Sequence, residues 1–549
     1  MAKILGAPIG ECVHVAGTLN FLRLAAEQGY QTEFLGAATP LKDVIGAIRE
    51  TDPDVVAISY RLTPETGYSL LLELKQGLEE AGLLDRRFVF GGTPPVAERA
   101  KEVGLFEAYF TGEEPLENVI AWLKGQDIGE RTEADFPDEL VPRLEWKKPF
   151  PVIRHHFGFP ADSIKPTVEG IKKIAEAEIL DVLSLGPDQD AQENFFTPEK
   201  ADPSRRGAGG VPIRSEADFE ELYEATRRGN YPLMRSYAGT AQLLRYGEML
   251  RRTIKNAWCA TSIFWFNLVD GRGPMTLQES IEEHLRLMKW HGDHDVPVEA
   301  NEPHHWELRD AHDVVAVVSA YLSAYLNKKM GVKTYIATYM FNTPPTLSDK
   351  MDLAKMLAKA ELAEALQDEN FRCLRQTRAG LLSYPVDPAY AIGQLGASTY
   401  VQMAMKPDIM HVVGYCEAHH AATAEDVIES CKIARKVIQN CLHGMPDMTH
   451  DPEVIERKEE LKKEAQVLIN AIKALGGDKV EDPLADPATL TKAVEIGLMD
   501  TPQLKGNAYA CGEVVTKPIN GAIYAVDPET DEILSEEERV ERIFKKYGI

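Results

Sequence analysis

The sequence predicts an α/β protein with two successive parts: a doubly wound parallel sheet, then a (β/α)8 barrel with a small C-terminal α+β extension. Three observations carry that prediction. The chain has 549 residues, more than one hydrophobic core serves. Over residues 1–125 short apolar runs alternate with amphipathic stretches. After a polar interval the alternation restarts and yields eight more strand–helix units.

In the first part the strands are Ala2–Pro8, Gln31–Leu35, Asp54–Ser59, Arg87–Phe90 and Ala108–Thr111. The helices between and after them are Ala16–Gln28, Leu41–Thr51, Thr66–Ala81, Pro95–Val103 and Pro115–Leu123. This pattern is flavodoxin-like, and ligands of such sheets sit at the C-terminal ends of the strands. Residues 126–150 are polar and Pro-bearing, lack either period, and read as a linker. The barrel is placed over residues 151–450. Its strands are Pro151–Arg154, Leu180–Leu185, Tyr231–Ser236, Ala257–Phe266, Val296–Glu302, Lys333–Tyr339, Arg372–Arg378 and Ile409–Cys416. A second open sheet would rarely reach eight units, so a TIM barrel is the expectation. Residues 451–549 open with a charged amphipathic helix, Glu453–Leu475, and end in short strands and a terminal helix, read as a lid or an oligomer contact. A homodimer is expected.

Composition narrows the function. A formal charge of −26 offers no basic stripe for phosphates and argues against nucleic acid. Seven scattered cysteines without a C-x-x-C argue against a disulfide framework and fit a reducing, cytoplasmic setting. No apolar run is long enough to span a bilayer, and no leader-like stretch opens the chain.

Barrel chemistry belongs at the C-terminal strand ends. Three of those ends carry paired histidines: His155–His156, His304–His305 and His419–His420. Glu302 and Glu417 accompany them, with Arg154, Arg235, Arg375 and Arg378 nearby. Fixed cations suit a substrate carboxylate, and imidazoles suit proton handling. A metal site is the competing reading, since imidazole and carboxylate also ligate zinc or iron. In the first part, Cys12, His14 and Gly17 lie on the loop after strand 1, where an imidazole can reach a metal within a large bound group. Ser59 closes strand 3, and Gly91–Gly92 closes strand 4. Small residues at neighbouring strand ends leave room for a ligand.

These residues resemble a known pattern. The first part is similar to the cobalamin-binding domain of the mutases and methionine synthase, whose hallmark is D-x-H-x-x-G, then S-x-L, then G-G. Here the segments read Cys12-Val13-His14-Val15-Ala16-Gly17, Ser59-Tyr60-Arg61 and Gly91-Gly92. The resemblance implies that His14 ligates cobalt and that Cys12, Gly17, Ser59, Arg61, Gly91 and Gly92 surround the cofactor. Cys12 replaces the family's Asp, and Arg61 its Leu.

Residues 150–549 resemble the large catalytic subunit of the glutamate mutase (methylaspartate mutase) family. The resemblance rests on PLMRSYAGT (232–240), NEPHH (301–305), CEAHHAATAED (416–426) and the turn E-x-G-x-M-D-x-P at 495–502. It implies adenosylcobalamin as cofactor, a small carboxylic acid as substrate, and a radical carbon-skeleton rearrangement. Arg154 and Arg235 would hold the carboxylate, Glu302 and His304 the polar or migrating group, and Glu417 the adenosyl ribose. Departures point away from glutamate itself. The family's strand-8 lysine is Val413, and its polar strand-4 segment is SIFWFNLVDG, with Phe264, Trp265 and Phe266. The third arginine of its clamp has no counterpart in 186–196. Phe264 and Phe266 read either as a substrate wall or as barrel packing. The alternative classes are a corrinoid methyltransferase and a non-catalytic cobalamin carrier.

Overall fold

The computed structural model describes residues 2–112, 114, 116–125, 132–202, 210–237 and 239–549. The first residue of the expected helix Pro115–Leu123, and residues 126–131 of the expected linker, lie outside these. Two compact units result, Met1–Arg131 and Thr132–Ile549.

In the first unit β1 (Lys3–Pro8), β2 (Gln31–Phe34), β3 (Val55–Ser59), β4 (Arg87–Gly91) and β5 (Ala108–Phe110) form one parallel sheet. The strand order is β2-β1-β3-β4-β5, the flavodoxin-like order, with its topological switch between β1 and β3. Both faces are covered. Leu5, Ala7, Val56, Ile58, Phe88 and Phe90 pack on one side, and Ile4, Val55, Ala57, Val89 and Ala108 on the other. That two-sided burial is why these strands read as continuous apolar runs.

In the second unit eight strands are β6 (Val152–His156), β7 (Val182–Leu185), β8 (Leu233–Ser236), β9 (Cys259–Thr261), β10 (Val298–Ala300), β11 (Thr334–Phe341), β12 (Arg372–Ala379) and β13 (Ile409–Val412). They pair in the order β8-β7-β6-β13-β12-β11-β10-β9. The ring closes where Ala257 N donates to Met234 O at 2.8 Å. This is the (β/α)8 barrel, flanked by helices such as Leu277–Asp293, Asp313–Lys329 and Ala424–Leu442.

Three of the expected strands end earlier than read, β13 among them at Val412 rather than Cys416. Residues 262–266 leave the sheet after β9, and residues 302–307 form a short helix after β10. The described part of the expected linker, residues 132–150, carries a helix rather than irregular chain. The helix Leu140–Lys147 sets Leu140 and Leu144 against Val152, Val182, Leu233, Ala257 and Ile409, at the N-terminal ends of the barrel strands. Its two buried charged side chains, Arg143 and Lys147, are paired. Lys147 Nζ meets Asp181 Oδ1 at 3.0 Å, and Arg143 donates to the carbonyls of Pro137, Asn230 and Tyr231.

The extension shares the barrel's core rather than forming one of its own. The helix Pro452–Gly476 buries Leu461, Ala465, Leu468 and Ile472 in the same cluster as Val315 and Val318. β14 (Thr516–Ile519) and β15 (Ala522–Ala525) form a hairpin, followed by the helix Glu536–Tyr547. The E-x-G-x-M-D-x-P turn has a structural task. Asp500 accepts from the backbone N–H groups of Gly512, Glu513 and Val514, and Gly497 sits at φ +88°.

Candidate functional site

At the C-terminal edge of the first sheet, Cys12 is buried and His14 is exposed, with Cys12 Sγ 3.9 Å from His14 Nδ1. The thiol thus occupies the position beside the imidazole where a carboxylate would orient it. Gly17 opens onto free space in the first turn of the helix Ala16–Glu27. Ser59 Oγ is bonded to Thr18 Oγ1 at 2.7 Å. A Cβ on Gly92 would lie 2.6 Å from Tyr60 O, so only glycine fits there, while Gly91 has ordinary clearance. Arg61 is exposed. Apolar Val13, Leu19 and Leu62 are exposed on the segments following β1 and β3, with Val13 at 64%. An accessible imidazole among glycine backbone and uncovered apolar side chains fits a large, flat, metal-bearing group.

In the barrel the strand ends enclose a cavity of about 460 Å³. Its floor is an ion cluster. Glu299 Oε2 accepts from Arg154 Nη1 at 3.0 Å, Arg235 Nη2 at 3.1 Å and Trp258 Nε1 at 2.5 Å. Burial pushes the Glu299 carboxyl up, but Arg154, Arg235 and the Trp258 N–H outweigh it and hold the group at about 2. Arg154 also donates to Ser184 Oγ and Gln376 Oε1. Burial and the nearby Arg235 bring Arg154 down to about 9, so it remains charged at neutral pH.

Imidazoles line the walls: His155, His156, His304, His305 and His411. Burial, and then neighbouring cationic side chains, lower all five, His155 to about 4. They are therefore neutral acceptors and donors, not cations, at pH 7. Arg154 Nη2 lies 3.1 Å from His156 Nε2; the guanidinium can only donate, which puts the His156 proton on Nδ1. Tyr237 stacks on the same ring at 5.6 Å.

Two further guanidiniums face the cavity, Arg272 over the Phe266 ring and Arg378. Neither has an ion pair among the described residues. Among the described residues the Arg378 side chain makes one hydrogen bond, from Nε to Ala379 O. Glu417 lines the same wall; burial raises its pKa and Arg378 opposes the rise.

The structure thus brings Arg154, Phe266, His304 and Glu417 together around one cavity, with Arg235 behind the floor. It does not bring Glu302 there. The Glu302 carboxylate is turned inward, accepting from Ser262 Oγ, Ile263 N, Phe264 N and Trp306 Nε1. Four donors leave it no capacity for a substrate, and its work is to shape the 262–264 loop. Phe264 packs edge-on against Trp306 and is barrel packing, whereas Phe266 is wall. His419 and His420 are exposed and outside the cavity lining. Sequence reasoning missed Glu299, Gln376, Tyr237 and His411. Glu299 and His411 did leave a signal, a lone polar residue inside the strand runs VPVEA and IMHVV. Of the expected arginines Arg378 lines the cavity and Arg375 does not, being paired with Glu364, while Arg272 is a cavity guanidinium the sequence reading did not name.

Fold and site define a chain in which a cobalamin-type domain precedes a (β/α)8 barrel with a cationic, histidine-walled cavity. Residues 2–120 match the family model of the B12 binding domain, so the first unit is a B12-binding domain. No curated protein matches the chain. Among solved structures, the chain is similar to a cobalamin-binding protein from Desulfitobacterium hafniense, at 25% identity and TM-score 0.20, over 22% of this chain and 56% of that one. It thus spans little more than half of that protein. A rubisco-like protein from Alicyclobacillus acidocaldarius shares 15% identity at TM-score 0.32, over 59% of this chain and 72% of that one. The cobalamin-dependent S-adenosylmethionine radical enzyme OxsB shares 12% at TM-score 0.19, over 89% and 70%.

Proposed function

We propose that this protein is an adenosylcobalamin-dependent carbon-skeleton isomerase acting on a small carboxylic acid other than glutamate. The observation that carries the substrate class is the pair of cavity-lining guanidiniums, Arg272 and Arg378, that have no carboxylate partner among the described residues. In a shielded cavity such a group favours an anion, and a guanidinium fork matches a carboxylate. Arg154 adds charge from the floor, while Glu299 fixes its direction. Neutral His156, His304 and His411 offer hydrogen bonds to the rest of the substrate without adding charge.

The B12-binding domain supports the cofactor class. His14 would hold the cobalt, with Gly17, Ser59, Gly91 and Gly92 leaving room for the rest of the cofactor. Bound adenosylcobalamin supplies hydrogen-atom abstraction from an unactivated carbon, which a rearrangement needs. The barrel's part is to bind, orient and exclude water.

The test is hydrogen exchange. Full-length protein with tritiated adenosylcobalamin is incubated with a panel of small carboxylic acids. Tritium appearing in an acid and in its rearranged isomer is the expected result. Exchange with none, together with methyl transfer from methylcobalamin, would place the protein among the methyltransferases instead.

A further inference from the structure

A second group of chemically active side chains lies at the rim of the barrel, on the segment after β13. Three polar residues there sit unusually close. Ligand atoms of Cys416, His420 and Asp426 all lie within 4.8 Å of one another. No other trio of this kind occurs among the described residues.

The local fold builds the cluster. His419 N and His420 N both donate to Cys416 O, at 2.8 and 3.0 Å, so the chain makes a single turn. That turn sets His420 four residues on and on the same side as Cys416. Asp426 is the third residue of the helix Ala424–Leu442 and closes a capping box with Thr423. Its Oδ2 is fully used, accepting from Thr423 N, Thr423 Oγ1 and His420 Nε2. Its Oδ1 accepts only from Tyr415 OH, at 3.2 Å, and stays free for a stronger partner.

A separate observation points at the same place. His155 is 3% exposed, and its Nε2 has no hydrogen-bond partner among the described residues. A Cβ on Gly414 would lie 3.2 Å from Cys416 Sγ and 3.4 Å from His155 Nε2, so these two atoms border one small space beside the cavity. Glycine at 414 keeps that space open. An imidazole nitrogen buried without a partner costs free energy unless something fills the gap.

Thiolate, imidazole and carboxylate together select a borderline-soft ion such as zinc over magnesium or calcium, which take oxygen ligands. Zinc bonds of roughly 2.0–2.3 Å would need the three donors to draw in by about 1 Å. His420, with 44% of its side chain exposed, has the freedom to do so.

We propose that Cys416, His420 and Asp426 bind a zinc-class ion at the rim of the barrel cavity, its fourth position turned toward His155. Three protein ligands with one open position is the arrangement of a catalytic rather than a structural zinc. The open position would take water, or a thiol or carboxylate of a small ligand. Neither cobalamin binding nor the isomerase reading is needed for it.

Equilibrium dialysis of the chelator-treated full chain against zinc chloride tests this, with elemental analysis counting zinc apart from cobalt. One zinc per chain is expected. Cys416→Ser and His420→Gln should each weaken it by at least about a hundredfold, beyond the 10–100-fold that loss of an outer partner costs. Cobalamin content should not change in either variant. His420 sits in solvent, so His420→Gln keeps the test sound if Cys416→Ser fails to fold. No saturable zinc binding by the parent protein, or a loss below a hundredfold in a folded variant, overturns the proposal.

Discussion

Glu299 is the residue on which the electrostatics of the cavity turn. It neutralises two buried guanidiniums, and Arg235 Nε and Nη1 have no hydrogen-bond partner among the described residues. Removing its charge leaves Arg154 and Arg235 buried and uncompensated. Glu299→Gln should therefore destabilise the barrel by about 3–5 kcal/mol, the cost of breaking a buried pair, measured by denaturant unfolding. Arg378 should behave in the opposite way. It makes one side-chain hydrogen bond and faces the cavity. Arg378→Gln should leave unfolding within about 0.5 kcal/mol. The same variant should weaken binding of the preferred small carboxylate by about 1.5–3 kcal/mol, roughly ten- to a hundred-and-fifty-fold, read by calorimetry. At this scale the sequence was a partial guide. Both Glu299 and Glu302 are visible in VPVEANEPHH, but adjacency to histidines favoured Glu302. What separates them is three-dimensional: Glu302 meets four donors from residues 262–264 and 306, and Glu299 meets two arginines that lie 145 and 64 residues away in the chain.

Among the elements, the helix Leu140–Lys147 shows how a polar, Pro-bearing stretch becomes core. Pro142 lies in its first turn, where the missing N–H costs nothing. Its buried charges are paid for by partners: Lys147 with Asp181, whose other oxygen accepts from Ile153 N. A composition-based reading sees polarity and proline and assigns a linker, because the pairing partners lie far away in sequence. Lys147→Ala should leave Asp181 as an unpaired buried carboxylate. A loss of about 3–5 kcal/mol is expected, with equilibrium denaturation as the measurement; a change below about 1 kcal/mol would mean the helix is loosely held. The barrel strands were legible for the opposite reason. Their burial is apolar and local, so β6 to β13 fall where the apolar runs do. The C-terminal ends of β9, β10 and β13 were misjudged; at β9 the Glu302 hydrogen bonds draw 262–264 out of the sheet.

Across the whole molecule, the placement of histidine makes the two units respond differently to acid. The first unit holds one histidine, the exposed His14. The second buries many. His284 and His291, on the helix Leu277–Asp293, are lowered by burial to about 4 from an ordinary 6.5. His155 is lowered to about 4 as well, and His156, His304, His305 and His411 are lowered well below 6.5, again by burial first. Between pH 6.5 and 4 the unfolded chain therefore binds protons that the folded barrel refuses. Stability is full above 6.5 and falls as acid is added, each such histidine contributing up to about 1.4 kcal/mol per pH unit. Carboxylates that burial raises oppose this, Glu302, Asp408, Glu417 and Asp500 modestly and two others more. Burial raises Asp352 to about 6 and Glu464 to about 7, so protonation of these favours the fold as pH drops. Seven histidines, His155 among them, outnumber the raised carboxylates, of which only Asp352 and Glu464 move far, so the net sign is acid-destabilising. Calorimetric scans from neutral pH down to about 5 should show the barrel's melting temperature falling steeply, with that of the B12-binding unit moving little. A barrel transition that held its temperature across that range would show that the buried imidazoles take up protons without unfolding, and the neutral-histidine picture of the cavity would fall with it.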